Sequence, residues 1–232
     1  MPFPANLLIS FYQPYASYEW EGVTKNLGLP HKPVGHDNLR IFYPLRKVTT
    51  DQIKGFSWPL WNPYSFAGTP QLATYQSAVL HPASLLFFSL PQIDAWSIIV
   101  ILQPFLASIF MYLFLREISL GRKASFFGAV VFGFSPHLLV WMEDYFIAGY
   151  SGLFLPLILY ANEKMRKKVT LFAFILFILG LTFSLLSGWF QTTMYVWIFT
   201  LLWIVYRRHH VFYSIVGFIL AILISGIHLL PN

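Results

Sequence analysis

The chain has 232 residues, of which 57% are hydrophobic, 19% aromatic and 10% charged, against roughly a quarter charged in an ordinary soluble domain; composition points to a membrane protein. A formal charge of +6 with no soluble basic face to carry it argues against nucleic acid as a partner and for cytoplasmic loops and a phosphate-bearing lipid. No cysteine is present, so neither a disulfide framework nor thiolate chemistry enters.

Met1 does not open a signal peptide, because Pro2-Phe3-Pro4-Ala5 has no cationic region and the apolar run from Leu7 to Tyr12 is too short for a span. Residues 1–92 mix aromatics such as Tyr12, Tyr15, Tyr18 and Trp20 with turn formers such as Gly28, Pro30, Pro33 and Gly35. That mixture suits a region at the membrane surface, where Trp and Tyr satisfy an apolar ring and a polar tip together. Thr49-Thr50-Asp51 is expected to cap a short helix ending near Gly55, with Trp58, Leu60 and Trp61 on lipid headgroups. The run from Tyr75 to Leu90 is apolar but shorter than a span and is broken at His81-Pro82, which predicts a re-entrant or interfacial hairpin.

From residue 93 the chain reads as a transmembrane bundle. Helices are expected over Ile93–Leu115, Ala124–Trp141, Tyr145–Ala161, Val169–Ser187, Thr192–Tyr206 and Val211–Leu230, about six spans. Cations alternate between the connections: Arg116, Arg122 and Lys123 in one, Lys164, Arg166, Lys167 and Lys168 in another, Arg207 and Arg208 in a third, with none at Met142–Asp144 or Gly188–Gln191. The positive-inside rule puts the cationic loops in the cytoplasm and residues 1–92 on the outer side. With no signal to export that region, the expectation is a piece of a longer protein, lacking a span before Met1 and more after Asn232. The fold class is thus an all-α polytopic membrane protein, a large extracytoplasmic loop region with short interfacial helices (1–92) followed by a helical bundle (93–232).

The order Asp37, Tyr43-Pro44, Pro59-Leu60-Trp61-Asn62-Pro63-Tyr64 and Gly68-Thr69-Pro70, followed by Gln76 and Pro82, resembles the YfhO-type bacterial membrane proteins of the GT-C class of lipid-linked-sugar glycosyltransferases. Gly128-Ala129-Val130-Val131-Phe132-Gly133-Phe134-Ser135 continues the likeness, and Leu186-Ser187-Gly188-Trp189-Phe190-Gln191 is similar to the family's Gly-His-x-Gln turn. The resemblance implies transfer of a sugar from a polyprenyl-phosphate donor to a glycan or glycolipid acceptor at the outer face of a bacterial cytoplasmic membrane. It puts the essential acid of the first external loop at Asp37, to orient or deprotonate the acceptor hydroxyl. Arg40, Arg46 and Lys47 are the candidates to hold the departing phosphate, with Tyr43, Trp61, Asn62, Gln76 and Gln191 as further substrate-binding residues. Asp37, Glu143 and Asp144 are the candidate ligands of a divalent ion, Mg or Mn.

Plainer roles stand beside these. Asp37 before Asn-Leu-Arg is a good helix N-cap, interfacial arginines commonly snorkel to lipid phosphate, and Glu143-Asp144 reads equally as a solvated loop. No two histidines have the i, i+4 spacing of a helical zinc pair. The chain also departs from the family pattern: Asn6 stands where relatives carry an acid, and Trp189 where they carry histidine. The alternative is therefore a non-catalytic protein of the same fold that binds the lipid carrier or assists transport.

Overall fold

The computed structural model describes residues 41–144, 146–208 and 211–229, with side chains except at 142–148, 227 and 229. The protein is mostly helical, at 76%. In chain order the elements are α1 (Tyr43–Lys54), the two-residue strands β1 (Trp61–Asn62) and β2 (Thr69–Pro70), a 3-10 turn (Leu72–Thr74), α2 (Ser84–Ser89), α3 (Gln92–Glu117), α4 (Arg122–Gly133) and α5 (Pro136–Asp144). There follow α6 (Phe146–Leu153), α7 (Leu155–Lys167), α8 (Leu171–Leu186), α9 (Phe190–Arg207) and α10 (Val211–Leu229).

Among the described residues two helices are long and apolar enough to cross a membrane: Gln92–Glu117, and Arg122–Trp141, which joins α4 to most of α5. The segments Leu171–Leu186 and Val211–Gly226 are apolar but shorter. Expected helix positions agree with α3, α8, α9 and α10 to within a few residues. Two expected helices are interrupted instead. Ala124–Trp141 breaks at Ser135, just before Pro136 opens α5, and Tyr145–Ala161 breaks at Phe154, with Pro156 in the first turn of α7. Proline lacks the N–H that would continue the ladder and fits only a first turn.

The bundle has an apolar core, built on residues such as Phe87, Ile99, Leu153, Ile158, Phe177 and Leu181, with polar side chains set into it, and its outer surface is apolar as well. Phe105 and Ile109 of α3, Phe126 and Phe127 of α4, Leu202 and Val205 of α9, and Leu223 and Ile224 of α10 are all exposed, whereas Gln103, Ser151, Glu163, Ser184 and Thr200 are buried. Small residues let helices approach closely. α3 packs on α4 and α7, and α8 packs on α7 and α10. At the α3–α4 contact a Cβ on Gly133 would overlap Ser108 Oγ and stand 2.7 Å from the Pro104 carbonyl oxygen.

The segment before α3 is a separate layer of turns and short helices. Helix α1 begins at Tyr43 rather than at a Thr49–Asp51 cap, because Pro44 occupies its first turn and Thr49 and Thr50 lie buried within it. Its end at Gly55 agrees with expectation. Neighbouring side chains tie it down: Gln71 Nε2 donates to the Leu45 carbonyl and Thr49 Oγ1, both at 2.8 Å, and Gln52 Nε2 donates to the Trp61 carbonyl at 2.7 Å. Strands β1 and β2 pair antiparallel, Trp61 opposite Pro70. Gly68 has φ +106°, and any Cβ there would collide with the Trp61 indole, so this turn requires glycine. From Gly55 to Ile93 there is no Asp, Glu, Lys or Arg, and Phe56 and Phe66 are fully exposed at the turns. The expected re-entrant hairpin over 75–90 is a series of turns leading into the six-residue α2.

Candidate functional site

The start of α3 and the polar face of α1 enclose a cavity of about 510 Å³ lined by Tyr43, Lys47, Thr50, Asp51, Lys54, Pro91, Gln92, Ile93 and Asp94. The i, i+4 spacing of Lys47 and Asp51 pairs them on one face of α1, and Lys47 Nζ reaches Asp51 Oδ1 at 2.5 Å and Oδ2 at 2.6 Å. Both side chains are more than half exposed. Lys54, in the last turn, donates to the Leu90 carbonyl at 3.3 Å. Gln92 Nε2 donates to the Tyr43 carbonyl at 2.9 Å, and the Tyr43 ring lies 6.1 Å from that of Trp96. Together these fasten the first turn of α1 to the foot of α3.

Two polar atoms of this wall have no hydrogen-bond partner among the described residues: the Thr50 hydroxyl, buried on α1, and Gln92 Oε1. A buried polar atom left unpaired costs about 1–3 kcal/mol, so both suit a ligand, or water, that offers hydroxyl groups. Asp94 forms no ion pair among the described residues and is exposed beside them. An aromatic ring, two carboxylates, an amide and two ammonium groups around one hollow offer an apolar face, hydrogen-bond acceptors and donors, and positive charge to a polar ligand.

Arg46 is placed differently from Lys47, one position on. It is buried, its Nη1 donates to Ser84 Oγ at 2.7 Å, and its guanidinium stands 4.5 Å from the centroid of the Phe87 ring. Burial pushes its pKa down to about 9, which leaves it cationic at neutral pH. Beside it His81, also buried, accepts at Nδ1 from the Ala83 N–H at 3.2 Å, and its ring packs edge-on against Tyr150 and Phe154. Burial, and then the charge of Arg46, lowers the His81 pKa to about 3, so this imidazole is neutral. The gap between them, also bordered by Ser84, Ile99, Tyr150 and Ser187, holds about 10 Å³, room for one water and not for a phosphate group.

The other residues singled out in the sequence are dispersed. Trp61 is half exposed on β1, while Asn62 is buried and serves its own turn, accepting from the Tyr64 N–H at 2.9 Å and donating to Ser65 Oγ at 3.0 Å. Gln76 lies against Gly188, whose φ is +93°, and Gln191 is exposed on the first turn of α9, donating to the Tyr195 hydroxyl at 2.9 Å. Tyr75 connects this region to the bundle, with its hydroxyl donating to the Leu185 carbonyl and its ring 4.9 Å from that of His228. Asp37 and Arg40 lie outside the described residues, and the side chains of Glu143 and Asp144 outside the described side chains. Among the described residues no group of three or more His, Asp or Glu could hold a metal ion.

At the opposite end of the bundle stands a residue that the sequence did not single out. The Glu163 carboxylate is fully buried and accepts from Arg166 Nε at 2.9 Å, Trp203 Nε1 at 3.0 Å, and Arg207 Nε and Nη2 at 2.9 and 3.1 Å. Nearby, Glu117 at the end of α3 pairs with Lys167 Nζ at 2.7 Å and Lys164 Nζ at 3.7 Å. These bonds join the ends of α3, α7 and α9.

No family model, curated protein or solved structure matches this chain.

Proposed function

We propose that the chain is a polytopic membrane protein of about six spans that transfers a sugar from a polyprenyl-phosphate-linked donor to an envelope glycan or glycolipid at the outer face of the bacterial cytoplasmic membrane. The supporting observation is the 510 Å³ cavity at the foot of α3, where Tyr43, Lys47, Asp51, Lys54, Gln92 and Asp94 face one hollow at the end of a span. The absence of Lys and Arg from the connections on that side supports the orientation.

In this reading Tyr43 offers a platform to the sugar ring, and Gln92 and Asp94 accept its hydroxyls. Lys47 and Lys54 stabilise the negative charge that gathers on the phosphate oxygen as the bond to the anomeric carbon breaks. Asp37 takes the proton of the acceptor hydroxyl as its oxygen bonds to that carbon, and polyprenyl phosphate leaves. A divalent ion held by Asp37, Glu143 and Asp144 would supply charge neutralisation at the phosphate. Arg46, buried beside His81, has a supporting role, keeping α1 on α2.

The test is reconstitution in liposomes with a polyprenyl-phosphate-linked sugar and a lipid acceptor. Asp37→Asn abolishes transfer while membrane insertion is unchanged, and Asp94→Asn together with Tyr43→Ala raises KM. Wild-type turnover by Asp37→Asn refutes the assignment.

A second reading has its own observation. Trp189 stands where the resembled family carries histidine, and its ring packs against Phe42 at 6.4 Å and Trp141 at 5.9 Å between centroids. A packed indole at this turn suits a protein that binds the lipid carrier without turnover, and such a protein retains polyprenyl phosphate yet transfers no sugar from any donor.

A further inference from the structure

The two helices long enough to cross a membrane are joined by the short connection between Glu117 and Arg122, and at that end they form a second hollow, shallow and widely open at the surface. It holds about 480 Å³ and is lined by Tyr112 of α3 and Arg122, Lys123 and Phe126 of α4. Arg122 and Lys123 are exposed, and neither has an acidic partner among the described residues. The nearest carboxylate in sequence, Glu117, is taken by Lys164 and Lys167. Arg116 is engaged as well, donating from Nη1 to the Leu120 carbonyl at 2.5 Å.

The lining changes character with depth. Tyr112 lies five residues before the end of α3 and Phe126 four residues into α4, about 6–8 Å below the helix ends at 1.5 Å per residue. The cations stand at the rim. Below them the exposed surface continues apolar through Phe127, Ile109 and Val130. A ligand complementary to this hollow carries negative charge at one end and hydrocarbon at the other, joined over less than 10 Å, which is the layout of a phospholipid where its phosphate meets its acyl chains.

We propose that this hollow is a binding site for an anionic phospholipid, with Arg122 and Lys123 on the phosphate and Tyr112 and Phe126 against the glycerol and upper acyl region. The site rests on α3 and α4 spanning the bilayer and is independent of any glycosyl transfer. It lies toward the other end of α3 from the sugar-suited cavity, about 30 Å away for the 20 residues from Gln92 to Tyr112. At the membrane surface each such cation adds to attraction for anionic lipid.

The whole chain, purified in neutral detergent, is titrated with short-chain phosphatidylglycerol, phosphatidylcholine and inorganic phosphate while its thermal midpoint is followed. Phosphatidylglycerol raises the midpoint saturably and phosphatidylcholine does not. The double variant Arg122→Gln/Lys123→Gln weakens that response roughly tenfold or more, from the loss of two surface cations. Tyr112→Ala, which keeps both charges, weakens it for lipid and so checks the apolar floor separately. Equal responses of wild type and the Arg122/Lys123 variant overturn the site, and so does an equal response to phosphatidylcholine. An inorganic phosphate response matching that of the lipid overturns the assignment to phospholipid.

Discussion

Glu163→Gln separates a buried ion cluster from an exposed one within the same chain. The substitution keeps the shape of the side chain but removes the charge that two guanidinium groups and one indole N–H converge on. Hydrogen bonds to a charged acceptor contribute about 1.5–3 kcal/mol each, and breaking a fully buried pair costs about 3–5 kcal/mol. Arg166 and Arg207 are about a third exposed, at 38% and 32%, so water recovers part of that loss, and the net cost is about 2–3 kcal/mol. At roughly 2–4 °C per kcal/mol for a chain of this length, the thermal midpoint falls by about 4–12 °C. The comparison is Asp51→Asn, which breaks the Lys47 pair where both partners are more than half exposed and costs less than about 1 kcal/mol. Both variants are measured by thermal unfolding in the same detergent. A Glu163→Gln midpoint no lower than that of Asp51→Asn refutes the reasoning, since it means the ends of α7 and α9 do not depend on the shared carboxylate.

Other outcomes follow from the same geometry. His81 is held neutral in the folded chain, with its pKa lowered to about 3 from an unfolded value near 6.5. The unfolded chain therefore binds the extra proton as pH falls below about 6.5, and stability declines by about 2 kcal/mol between pH 6.5 and 5; His81→Gln flattens that slope in thermal unfolding. Gly133→Val drives a side chain into Ser108 and the Pro104 carbonyl and destabilises the α3–α4 contact by about 1–3 kcal/mol, seen as a lower yield of folded protein and a lower midpoint. Gly68→Ala meets both the Trp61 ring and an unfavourable backbone angle, and loosens the β1–β2 turn, read as faster proteolysis between residues 56 and 75.

The apolar helices were legible because periodicity is not needed where both the outer surface and the core are apolar: run length and end signals suffice. Thr170 shows such an end signal, since its hydroxyl accepts from the Ala173 N–H at 3.2 Å and caps α8, which begins at Leu171, two residues after the expected start at Val169. The breaks at Ser135 and Phe154 carry a signal in the sequence, Pro136 and Pro156, each of which sits in the first turn of the helix that follows. Glu163 was hidden by its neighbours. Lying among Lys164, Arg166, Lys167 and Lys168 it looks like loop charge, and only the arrival of Trp203 and Arg207 from the last turns of α9 buries it. The i, i+3 relation of Glu163 to Arg166 and the i, i+4 relation of Trp203 to Arg207 were the available clues. Likewise, adjacent Arg46 and Lys47 look alike as cations, but the roughly 100° between successive helical positions sends one under Ser84 and Phe87 and the other into the open cavity. Tyr43 and Lys47 share that cavity with Asp51, Lys54, Gln92 and Asp94, a grouping that required the fold of α1 onto α3.

The layer before α3 is held by side-chain amides that give their hydrogens to main-chain oxygens: Gln52 to residue 61, Gln71 to residue 45 and Gln92 to residue 43. Every amino acid carries that oxygen. As far as these bonds and the fold are concerned, the recipients are consequently free to change identity so long as their volume is respected, while the three glutamines are not; at Tyr43 the proposed binding role of the ring is a separate constraint. A saturation library over this layer would show the asymmetry directly, with narrow substitution profiles at the donors and broad ones opposite them.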